Sequence, residues 1–154
     1  MWDPATHRLF GAVTGHDGWV QSLCTVWVEG REHFASGGED GVVRVWDPAT
    51  GRLVRELTGH TGWVPVLCPV RIDGRNLLAS GSNDRSVRLW DLERGDQVMA
   101  LPVASRVWAL TAHLSTLLIG MDTGIKRLRL SRMDSVNGTV ATTPEIGTSD
   151  SRCS

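Results

Sequence analysis

Tyrosine is missing altogether from the 154 residues, and lysine occurs once, at Lys126, beside fifteen arginines. No run approaches the ~20 consecutive apolar residues that a membrane-spanning helix needs. The amino-terminal Met-Trp-Asp-Pro carries neither the basic region nor the apolar core of a secretory leader. Charge is nearly balanced at −1, which excludes the broad basic field of a nucleic-acid binder and the acidic field that basic partners would meet. Three cysteines, two of them in apolar strand-like runs, are too few for a disulfide framework, so a reducing cytoplasm is the expected compartment. The preference for arginine over lysine points to GC-rich coding of an actinobacterial kind. What the chain does have is 41% apolar and 21% charged residues, the balance of a soluble globular domain. It is also rich in glycine and holds seven tryptophans.

The tryptophans reveal a repeat. Trp2-Asp3 recurs as Trp46-Asp47 and Trp90-Asp91, and Gly15-His16 recurs as Gly59-His60, each time 44 residues on. Residues 2–45 laid over 46–89 without a gap share 24 identities in 44 positions. Each unit carries the same internal grammar. A β-rich run (Val20 to Val28; Val64 to Ile72) ends in a turn at Glu29-Gly30-Arg31 or Asp73-Gly74-Arg75, where glycine tolerates positive φ. Short apolar runs follow, Phe34 to Gly37 and Leu77 to Gly81. A second tight turn holds Asp40-Gly41 or Asp84-Arg85. Alternating strands then lead to Trp46 and Trp90, and a final strand covers Arg52 to Leu57 or Gln97 to Leu101. Four short strands and no helix in about 44 residues make one propeller blade.

The Gly-His…Ala-Ser-Gly…Asp…Trp-Asp pattern resembles the WD-repeat β-propeller family over residues 2–103. The expected architecture is therefore all-β, with blades of four antiparallel strands, about three in number, in an incomplete ring. Within a propeller segment over 1–130, the boundaries read as a partial blade 1–14, blades 15–58 and 59–102, and a degenerate blade 103–130. Residues 131–154, rich in Ser, Thr, Asp and Gly, read as a flexible polar tail. Pro65 and Pro69 both fall in the first strand of the second unit, four residues apart, so their missing N–H groups point to one side. An edge strand tolerates that, and in the family this strand is innermost. In the last unit Val103 and Ala104 stand where Gly-His is expected, and Leu128 or Leu130 where tryptophan is expected.

His16, Ser36 and Asp40, repeated as His60, Ser80 and Asp84, invite a hydrolase reading. Their duplication at identical spacing, each time with a tryptophan, and the lack of a glycine-framed nucleophile elbow argue against it. The resemblance implies instead a buried hydrogen-bond network of His16, Ser36, Asp40 and Trp46, and again of His60, Ser80, Asp84 and Trp90. In it, indole donates to serine, serine to histidine, and histidine reaches the aspartate. Cys24 and Cys68 read as core residues, Cys153 as an exposed thiol, and His7, His33 and His113 lack ligand-spaced partners, so no metal is expected. Gly37-Gly38 and Gly81-Ser82 precede strands and make poor phosphate cradles. No catalytic residue and no cofactor is expected.

In the resembling family the face with the Gly-His loops is the common docking surface. Carried over by position, it comprises Trp19, Gln21 and Glu39 in one unit and Trp63, Pro65 and Asn83 in the next. Either the two indoles form an aromatic hot spot or they seal the contact between blades. Trp108, one step out of phase with Trp63, is expected in the core. Propellers need about four to eight blades. The chain is thus expected either to be the carboxy-terminal piece of a longer protein or to self-associate, two copies making a six-bladed ring. The expected function is a non-catalytic protein–protein interaction scaffold with a protein partner, and no nucleic acid or membrane. The alternative is a regulatory or sensor module of a larger bacterial protein, a kinase or nucleotide-hydrolysing switch.

Overall fold

Period-2 alternation of apolar residues dictates the architecture. In the computed structural model, which describes residues 2–3, 8–9, 13–133 and 140–143, every regular element is a β-strand. A two-stranded ribbon pairs β1 (Trp2–Asp3) with β2 (Arg8–Leu9). The first four-stranded sheet runs β3 (Val20–Val28), β4 (Arg31–Gly38), β5 (Val43–Trp46), β6 (Leu53–Leu57). The second runs β7 (Val66–Ile72), β8 (Arg75–Gly81), β9 (Ser86–Asp91), β10 (Asp96–Pro102). The third runs β11 (Val107–His113), β12 (Thr116–Met121), β13 (Gly124–Met133), β14 (Val140–Thr143). Each is an antiparallel meander whose strands neighbour in chain order. The sheets meet along their first strands, β3 beside β7 and β7 beside β11, and the described residues form no closed ring. They are the blades of an incomplete propeller.

The core lies between blades. Val26, Val28, Ala35, Val43 and Val45 of the first sheet pack on Val64, Leu67, Leu78 and Trp90 of the second unit. Val70, Ile72, Ala79, Val87 and Leu89 of the second sheet pack on Val107, Leu117, Ile119 and Leu128 of the third. Burying aliphatic side chains of this size contributes about 1.5–3 kcal/mol each, which makes the blades mutually dependent. The approach is close enough to exclude a methyl group. A Cβ on Gly37 would stand 2.8 Å from both Cγ1 and the carbonyl oxygen of Val64, and one on Gly81 would overlap Val107 Cγ1.

Three expectations are corrected. Pro65 lies just before β7, and only Pro69 lies within the strand, opposite Leu78, where an edge strand tolerates it. β7 is indeed a sheet edge. The polar tail read from 131 onward contains strand: β13 continues to Met133, and β14 pairs with it from Arg129↔Thr143 to Met133↔Val140. The third blade therefore has four strands. Trp108 is not in the core but 48% exposed. The reason is a one-residue shortening ahead of β11. Val64 N–H donates to Gly38 O at 3.0 Å, and Val107 N–H donates to Ser82 O, the equivalent carbonyl, at 3.2 Å. Val107 thus takes the buried place of Val64, and Trp108 the outward place of Pro65.

Candidate functional site

Indole can only donate and carboxylate can only accept, so each polar quartet has one internal direction. Trp90 Nε1 donates to Ser80 Oγ at 2.8 Å, Ser80 Oγ stands 2.7 Å from His60 Nε2, and His60 Nδ1 stands 2.9 Å from Asp84 Oδ2. The chain of donors places the histidine proton on Nδ1. The same spacings recur in the first blade, Trp46 Nε1 to Ser36 Oγ at 2.8 Å, Ser36 Oγ to His16 Nε2 at 2.7 Å and His16 Nδ1 to Asp40 Oδ1 at 3.0 Å, but there Arg44 Nη1 also faces His16 Nδ1 at 2.8 Å. The strand ladders set this up by pairing Phe34 with Trp46 and Leu78 with Trp90, which brings each indole beside the serine two residues on.

The two networks close differently at the aspartate. Asp40 accepts Arg44 Nη1 at 2.6 Å, whereas Asp84 accepts the Ser86 hydroxyl at 2.6 Å. Burial would raise the Asp40 carboxyl, but hydrogen bonds from Arg44, His16 and the N–H groups of Asp17 and Val42 hold it at about 2. Asp84 is likewise burdened by burial and still held low by Ser86, His60 and the Thr61 N–H. For His60 burial prevails over Asp84 and lowers the imidazole, keeping it neutral. Ser80 is fully buried and Ser36 nearly so, each with its oxygen already engaged by indole. No substrate carbonyl reaches either.

In the third blade three of the four network places turn apolar. Leu128, opposite Leu117, holds the tryptophan place; Ile119, opposite Leu110, holds the serine place; and Val103, at the shortened offset, holds that of histidine. All three are buried. This is the physically consistent substitution, because a half-satisfied network costs more than an apolar one.

Above the networks lies the rim. Trp19 is 76% exposed and Trp63 49% exposed. Each loop is fastened to the facing turn by its backbone, Glu39 N–H to Trp19 O at 3.0 Å and Asn83 N–H to Trp63 O at 2.9 Å. Gln21 Nε2 donates to Glu39 Oε1 at 3.0 Å. Pro65 replaces Gln21 in the second blade, offers no donor, and leaves the buried Asn83 Oδ1 without a partner. The Trp19 ring thus stands largely in solvent and the Trp63 ring about half in it.

Sequence reasoning missed the third member of this row. Trp108 occupies the Gln21/Pro65 position and donates through Nε1 to Asp122 Oδ1 at 2.6 Å, while Arg106 lies over its ring at 5.6 Å. The signal was available in Val107, the apolar residue that has to match Val64, and a one-residue gap would have exposed it.

Among the described residues no group of three or more His, Cys, Asp or Glu is placed to hold a metal. Burial, and then the nearby Cys68, push the Cys24 thiol up to about 11, and burial raises Cys68 as well, so neither is a ready thiolate. No helix of the described chain is long and apolar enough to cross a membrane. Compared with known families, the chain matches the WD domain, G-beta repeat, at residues 8–47 and 51–91. No curated protein matches it.

Proposed function

The chain belongs to the WD-repeat family, and from that premise we propose that it is a non-catalytic scaffold that binds a protein partner across one rim of its blades. WD repeats typically mediate protein–protein contacts. The observation that carries the proposal to particular residues is the row of three solvent-exposed indoles, Trp19, Trp63 and Trp108, on successive blades. A tryptophan left in water forgoes a large burial energy. Three of them on a rigid scaffold, flanked by Gln21, Glu39 and Asn83, have the composition of an interaction hot spot. The serine–histidine–aspartate sets serve the blades' interior, and the rim serves the partner.

Selection of displayed random dodecapeptides on the immobilised chain tests this. Ligands whose binding is lost in Trp19→Ala/Trp63→Ala, with unchanged thermal unfolding, support docking. Unfolding of that variant would assign the rings to the fold instead.

A second reading concerns assembly. Leu23 is 68% exposed while its repeat equivalent Leu67 is 9% exposed. The second position is covered by the preceding blade, and the first has no such cover among the described residues. We propose that this face is covered as well, by a second chain in self-association or by further blades of a longer regulatory protein.

A further inference from the structure

The rim is not uniform in charge. Near Trp19 it carries Asp17 and Glu39. One blade on, the same turn positions hold Asn83 in place of Glu39 and Arg85 in place of Gly41, and Arg106 stands at the shortened-register place of Trp63. Trp63, Asn83, Asp84, Arg85 and Arg106 line an open depression of about 580 Å³ between the second and third blades.

The groups in this depression differ in how they are engaged. Asp84 turns its carboxylate inward, to His60, Ser86 and the Thr61 N–H, and its side chain is 8% exposed. Arg106 bonds Asp122 Oδ2 through Nε at 3.3 Å and remains more than half exposed. Arg85 is exposed, and its guanidinium is tied to no other side chain among the described residues. Its backbone has φ +64, in the left-handed region, at the position where the first blade uses glycine with φ +74. A strained arginine and a second arginine braced on an indole, beside a half-exposed ring, form a cationic recognition set.

We propose that the docked partner segment seats an acidic side chain, the carboxylate of Asp or Glu, in this depression between Arg85 and Arg106. An adjacent apolar side chain of the same segment packs on Trp63 and Trp108. The inference rests on the rim being the docking surface. The acidic end near Glu39 and Asp17 then orients the segment, its cationic part lying toward the first blade.

The test uses the dodecapeptides selected on the intact chain. They are expected to be enriched in Asp or Glu next to an apolar residue. Their affinity, read by fluorescence anisotropy, is expected to fall at least tenfold in Arg85→Gly/Arg106→Gln and with rising salt, with thermal unfolding of Arg85→Gly unimpaired. Replacement of the peptide's acid by its amide is expected to cost the same. Trp63-dependent peptides that lack acidic enrichment, or that bind the arginine variants unchanged, would overturn this inference and leave rim docking standing. Loss of no ligand on tryptophan substitution would overturn both. Binding only of phosphoserine versions would overturn the carboxylate assignment.

Discussion

Replacing His60 by alanine removes the middle of a chain of three hydrogen bonds, and the structure allows the cost to be worked out. The imidazole side chain is completely buried. Its loss leaves the Ser80 hydroxyl, also fully buried, with the indole N–H still donating to it but no acceptor for its own proton. One orphaned buried polar group costs about 1–3 kcal/mol. Asp84 adds little, because the Ser86 hydroxyl and the N–H groups of Thr61 and Ser86 still satisfy it. The space left beside Trp90, whose ring centroid lies 6.3 Å from that of His60, adds on the order of 1 kcal/mol. The sum is about 2–4 kcal/mol, a fall in Tm on the order of 5–15 °C. Thermal unfolding followed by circular dichroism measures it. His16→Ala should cost less, since its site is less buried and Asp40 retains Arg44. A Tm for His60→Ala within about 2 °C of the parent chain would mean that the network does not hold the second blade.

Stability should depend on pH in two stages. His60 is lowered from 6.5 by burial, so the unfolded chain takes up a proton that the folded one refuses, and stability falls as pH drops below 6.5. Asp40 and Asp84 are held below 3.8, so their contribution is present above that value and is lost on further acidification, for Asp40 through about 2. A Tm that is flat or rising between about pH 7 and pH 5 would contradict the first stage. Gly81→Ala should destabilise by about 1–3 kcal/mol, since the added methyl meets Val107 and Val66 at the blade contact; an unchanged denaturant midpoint would show that the contact is loose. Light scattering behind a sizing column should give a species heavier than one chain that Leu23→Asp returns to the monomer mass, and a compact monomer from the parent chain would contradict self-association through that face.

The two complete blades were legible because their repeat is ungapped: the turn at Gly30 returns at Gly74, and the strand alternation and the network residues recur 44 positions on. Legibility ended where that offset changed. One residue lost before β11 moved Val107 into the buried place and turned Trp108 outward, and a reading in fixed phase put the ring in the core. The third blade also discards the residues that announce the motif. Leu128, Ile119 and Val103 fill the network's space with hydrocarbon, and only the ladder register identifies them. β14 was hidden for another reason. Val-Ala-Thr-Thr is too short to carry a period, and its order comes from pairing with the preceding strand β13. The rim residues Trp19 and Trp63 could be placed from the repeat, but their exposure could not, since a loop tryptophan fits a sealed contact as well as an open surface.

On the proposed function the exposed indoles bind a partner and do not hold the fold. Measuring Kd for a selected peptide together with Tm, on the parent chain and on Trp19→Ala/Trp63→Ala/Trp108→Ala, tests it most directly. Affinity is expected to fall by at least about a hundredfold (~2.8 kcal/mol) while Tm stays within a few degrees. Retained affinity, or a collapse of Tm with the loss of binding, would contradict it.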